Sequence, residues 1–137
     1  MKSHLAALVL ILSSFPAFAS QIDCTDVRPI SVYGQVHTAN VDMLSFSFTE
    51  GQQGDIEVRR YSFSRDTEAG VVRDLPKQFI GSEPMRIIYE NGNLRLSNFS
   101  GPHTNGYNHL VLNSDRSQLM SDPAPWAGKA MTCKHLN

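Results

Sequence analysis

The chain has 137 residues, with 12 Lys and Arg against 13 Asp and Glu, a formal net charge of −1 and two cysteines. That balance carries no basic stripe, which argues against a nucleic-acid partner and against a polybasic membrane-surface protein. The length suits one ordinary domain, and no repeat, low-complexity tract or linker divides it.

The first residues follow the order of a secretory signal. Lys2 gives a short positive start, Leu5 to Leu12 form an apolar run, and Pro16 breaks it before Ala17-Phe18-Ala19, a small-x-small cleavage pattern. Roughly 20 apolar residues are needed to span a bilayer, and this run is shorter. The expected organisation is a signal peptide over 1–19 and a single exported β domain over 20–137, periplasmic or secreted, without a stable membrane anchor. Gln21, Ile22 and Asp23 precede Cys24 and lack the pattern of a lipoprotein cysteine.

Export decides how Cys24 and Cys133 are read. An even cysteine count in an oxidising compartment favours a disulfide, and these two stand near the ends of the mature chain without a Cys-x-x-Cys motif. Bridging them would remove about 4–5 kcal/mol of unfolded-chain entropy in the simplest treatment.

Along the rest of the chain, period-two alternation recurs and helical periodicity is scarce. Ile30 and Val32 open an alternating segment running towards Val36. Leu44, Phe46 and Phe48 alternate with Ser45, Ser47 and Thr49 as a half-buried strand. After the turn at Gly51–Gly54, Ile56 and Val58 alternate with charged residues, and then the apolar phase jumps to Tyr61 and Phe63. A β-bulge at Arg59-Arg60 would absorb that jump, bring Tyr61 opposite Leu44 and keep Arg60 out of the core. The segment 71–80 reads either as a strand interrupted by Pro76 or as a short helix after it. Asn91-Gly92 predicts a type I′ hairpin turn. In that register Tyr89 faces Leu94, Ile87 faces Leu96 and Met85 faces Asn98, and a one-residue slip would scatter the apolar set. Tyr107–Asn113 and Lys129–Lys134 read as later strands, separated by a proline-stiffened loop that carries Trp126. The expected fold is all-β: a small antiparallel barrel or sandwich of about seven or eight strands, its termini joined by the disulfide.

Chemistry-bearing residues are few. His103-Thr-Asn-Gly-Tyr-Asn-His109 is the most polar, histidine-dense stretch, and His103, Asn105, Tyr107 and His109 are candidate ligand- or partner-binding residues within it. Two histidines without a third ligand do not make a metal site, so neither a metal nor a cofactor is expected. Arg59 and Arg60 are candidate receivers of a carboxylate or phosphate. Trp126, flanked by prolines, is a candidate recognition anchor. Ser114-Asp115-Arg116-Ser117 lacks a nucleophile elbow, and no carboxylate pair stands out for glycoside cleavage. Asn98-Phe99-Ser100 matches a glycosylation acceptor.

No family motif is complete. The Gly-x-Trp start of lipocalins is missing near the first strand. Ser100-Gly101 followed by Tyr107 resembles the Ser-Gly-x-x-Tyr pattern of small periplasmic lysozyme inhibitors only with altered spacing, so that likeness extends to fold type and assigns no function. The leading expectation is an exported noncatalytic binding or inhibitory module whose partner is a protein or an envelope component. The alternatives are a small secreted hydrolase using a loop histidine and a structural envelope protein. Loops on rigid β scaffolds commonly carry recognition.

Overall fold

The computed structural model describes residues 19–98, 109–121 and 130–136. Among the described residues nine strands run in order: β1 (Ser20–Val32), β2 (Gln35–Phe48), β3 (Asp55–Glu68), β4 (Val71–Asp74), β5 (Gln78–Glu90), β6 (Asn93–Ser97), β7 (His109–Leu112), β8 (Gln118–Ser121) and β9 (Met131–His135). All pairings are antiparallel. They run β2-β1-β9-β8-β7-β6-β5-β3, and a β2–β3 pairing closes eight strands into a barrel; β4 pairs with β3 outside that ring.

The barrel forms because alternate residues of every closing strand are apolar and face inward. Ile22, Cys24, Leu44, Phe46, Phe48, Ile56, Val58, Met85, Ile87, Leu94, Leu96, Leu110, Leu112, Leu119 and Met131 make one buried cluster. Eight strands enclose a space that side chains just fill, so the interior is a packed core. The Cys24–Cys133 disulfide joins directly opposed residues on β1 and β9, at the seam between the two ends of the chain.

The Asn91-Gly92 turn is as expected. Both residues have positive φ (53° and 81°), and Tyr89 pairs with Leu94 and Ile87 with Leu96. The paired stretch ends at Arg86–Ser97, one rung short of Met85–Asn98. Other elements differ from expectation. The alternation from Ile30 to Val36 is split by a hairpin at Tyr33-Gly34. Segment 71–80 resolves as β4, a break spanning Pro76 and the start of β5, because proline has no N–H to give a ladder. The later strands begin at His109 and Met131; Tyr107 lies outside the described residues.

The bulge near Arg59-Arg60 is displaced from its expected place. The β2–β3 register is unbroken from Thr38–Asp66 to Ser45–Arg59, so Leu44 faces Arg60 rather than Tyr61. The irregularity between Arg60 and Tyr61 lies instead in the β3–β5 pairing. No bulge is needed between β2 and β3 because β2 changes phase too. Leu44, Phe46 and Phe48 face the barrel core, whereas Val41 and Met43 face the other way and pack with Phe63 and Tyr61.

This shared change of face makes a second unit. β1 meets β9 only over Ile22–Thr25 but stays with β2 to Val32. β1, β2 and β3 therefore run on past the barrel as an arm, extended by β4 along one edge of β3. At the other end of the barrel Arg116 ties three connections together. It donates to the Glu50 carboxylate at 3.1 and 3.3 Å, and to the carbonyls of Gly92 and Asn113 at 3.0 Å each.

Candidate functional site

Because the barrel is filled, recognition has to be sought on the arm, on the outer wall and at the strand ends. Alternation divides the arm into two faces. One face carries the small cluster of Val41, Met43 and Phe63, with Tyr61 packed against it. Phe79 of β5 meets the Tyr61 ring edge-on at 5.7 Å, and the cations of Arg65 and Lys77 lie 6.0 and 5.8 Å from the Phe63 ring centre. The other face is charged. Asp42 lies between Arg28 at 2.6 Å and Arg60 at 3.9 Å, with its side chain only 13 % exposed. This group covers the arm-side end of the barrel core beside Leu44.

The arm also exposes apolar surface. Val27, Ile30, Val71, Val72, Leu75, Phe79 and Ile80 are all exposed, and Tyr33 at the hairpin tip is fully so. Tyr33 has φ 52° and Gly34 φ 78°, the pair of positive angles a type I′ turn demands. Glycine takes such an angle freely, but a tyrosine there costs about 1–2 kcal/mol. A bulky residue strained and wholly in solvent contributes nothing to the folded core. β4, at the far edge, leaves Val71 and Val72 exposed beside the Ala69-Gly70 turn.

From the root of the arm to the β2–β3 turn, the outer wall of β1, β2 and β3 forms a largely polar groove of about 380 Å³, where Phe46 and Ile56 also reach its lining beyond the last β2–β3 rung at Ser45–Arg59. Asp23, Ser45 and Arg59 stand in one cross-strand row, with Gln21 opposite Ser47 beside it. Gln21 donates to the Ser45 hydroxyl (2.8 Å), Ser45 to Asp23 (2.6 Å), and Ser47 to the Gln21 carbonyl (3.1 Å). Arg59 donates to Glu57 at 3.1 Å. Bonds first to Glu57 and then to Tyr61 hold its guanidinium above the ordinary arginine range.

The residues singled out from sequence are placed as follows. Arg59 and Arg60 point to opposite faces: Arg59 lines the outer groove, and Arg60 joins Asp42 at the end of the core. As successive strand residues they do not form one anion fork. His109 opens β7, opposite Ser97, and its Nδ1 lies 2.8 Å from the Ser97 hydroxyl. Ser97 is only 2 % exposed, so that hydroxyl is not presented to a substrate. His103, Asn105, Tyr107 and Trp126 lie outside the described residues, as do residues 1–18 of the expected signal peptide. Among the described residues no group of three or more His, Cys, Asp or Glu could hold a metal ion.

Tyr33 and the groove were missed in the sequence. The signal for Tyr33 was Gly34, whose positive-φ preference marks a turn inside an otherwise regular alternation. Of the groove residues Arg59 alone stands out in the sequence, as a candidate anion receiver; Gln21, Ser45 and Ser47 are ordinary outward-facing strand residues until three strands are laid side by side.

The fold defines the class of the protein: a closed eight-stranded antiparallel barrel with one extra strand and a disulfide linking its near-terminal regions. No protein-family model, curated protein or solved structure matches this chain. The disulfide suits an oxidising extracellular or periplasmic environment. Among the described residues no helix is long and apolar enough to cross a membrane.

Proposed function

We propose that this chain is an exported, noncatalytic recognition module, periplasmic or secreted after cleavage near Ala19, that engages a protein partner through its arm. The observation that carries this reading is Tyr33, fully exposed at positive φ on the tip of a hairpin that runs beyond the barrel. The turn itself demands positive φ at this position, but asparagine or glycine would supply it without strain, and a bulky residue kept there in solvent marks a functional position. Exposed tyrosines are also enriched among the residues that dominate binding energy. On the face of Val41 and Tyr61, the exposed Val27 and Phe79 extend the contact surface along the arm. A projecting tip suits a partner with a concave site, so inhibition by insertion into a cleft falls within this reading.

The test is affinity capture from the native envelope and culture fluid with the oxidised protein and two variants. Tyr33→Asn keeps a residue that tolerates the turn, and Phe79→Ser acts farther along the arm. A saturable protein partner retained by the parent and lost by both variants is the expected result. Capture indifferent to both substitutions would overturn the assignment.

A further inference from the structure

We infer that the groove at the root of the arm is a binding site for a neutral saccharide of one or two rings. Its size is the first consideration. At about 380 Å³ it lies within the range of roughly 300–1,000 Å³ typical of small-molecule sites.

Its chemistry is the second. A sugar hydroxyl both donates and accepts, so it is best received by a wall that mixes the two. Here the Ser47 hydroxyl, the Gln21 amide, the Glu57 carboxylate and the Arg59 guanidinium lie on adjacent strands facing one space, with the buried Ser45 beneath them holding Gln21. The half-buried Tyr61 adds an aromatic ring, the usual partner for the apolar C–H face of a pyranose.

Charge separates this ligand class from its rivals. Glu57 is paired with Arg59 at 3.1 Å, and Asp55 with Arg86 at 3.7 Å. Asp23 stands behind Ser45. Locally the groove is neutral to slightly acidic, which disfavours phosphate and acidic sugars. The polar lining equally disfavours a lipid tail.

The wall is also organised in advance. The Ser47–Gln21–Ser45–Asp23 chain fixes the amide and both hydroxyls before a ligand arrives, which lowers the ordering cost of binding. The site is open on one side, so affinity on the order of millimolar is expected. This inference stands independently of what the arm binds.

The test is a heteronuclear NMR titration of the oxidised protein with maltose, cellobiose and N,N′-diacetylchitobiose, with glucuronate and glucose 6-phosphate as anionic comparators. The expected result is saturable amide shifts centred on Gln21, Ser45, Glu57 and Arg59 for at least one neutral disaccharide. Gln21→Ala and Glu57→Ala, both on the outer wall, should weaken that binding at least tenfold without altering the core spectrum. Tyr33→Asn should leave it unchanged. Three outcomes would overturn the inference: no saturable shift at tens of millimolar with any neutral sugar, shifts indifferent to both groove substitutions, or tighter binding of an anionic comparator.

Discussion

Arg60 of β3 sits directly opposite Leu44 of β2, so a guanidinium shares a face with the last apolar rung of the barrel core. That pairing marks the level at which the core ends and the arm begins. Above it the inner face turns charged, and the apolar residues of both strands move to the outer face. Asp42 compensates the cations there, 2.6 Å from Arg28 and 3.9 Å from Arg60.

Asp42→Asn should therefore destabilise the protein. It removes the counter-charge shared by Arg28, half in solvent, and the more covered Arg60. The expected loss is about 0.5–1.5 kcal/mol, read as a lower urea midpoint. An unchanged midpoint would mean that Asp42 is not what holds this end of the core.

The Cys24–Cys133 bond closes 109 residues of sequence. Reduction, or the double change Cys24→Ser with Cys133→Ser, should cost about 2–4 kcal/mol. The loss should centre on the β1–β9 seam, where four rungs among the described residues join the two ends of the chain. Hydrogen exchange at Cys24, Thr25 and Thr132 should accelerate ahead of exchange at Leu94 and Leu96. If the seam amides were as protected after reduction as before, the closing role of the bond would be disproved.

Asp74 gives the arm a pH dependence. A hydrogen bond from Arg65, Nε to Oδ1 at 2.6 Å, holds its carboxyl below the ordinary carboxylate range. A carboxyl depressed by folding stabilises the native state above its unfolded value of about 3.9, and that contribution is lost as pH falls through the lower folded value. Carboxyl-carbon NMR should show Asp74 titrating below ordinary aspartates, and Arg65→Gln should move it back up. The β3–β4 edge should loosen in acid before the barrel does. An ordinary titration of Asp74 in the parent protein would rule this out.

The all-β strand set was legible in the sequence because its signals are local and repeat, whereas barrel rather than sandwich was not, because closure rests on the long-range β2–β3 pairing. Alternation in Leu44–Phe48 and the Asn91-Gly92 turn each set a strand or a register without long-range information. The arm was not legible, because the same phase jump at Arg59–Tyr61 fits either a bulge that preserves one face or a true change of face. Only the matching switch in β2, from Val41 and Met43 to Leu44 and Phe46, separates the two. The groove depends on which strands become neighbours. Gln21 and Arg59 are far apart in sequence and meet only through β2 between them.

The central claim is that the arm tip touches a partner, and site-specific photo-crosslinking tests it most directly. A photoreactive phenylalanine analogue is placed at Tyr33 and, for comparison, at exposed Ser114 at the opposite end of the barrel. Irradiation of the exported protein in its native compartment should give one dominant protein adduct from position 33 and none from position 114. Adducts from position 114 alone, or from neither, would contradict recognition through the arm.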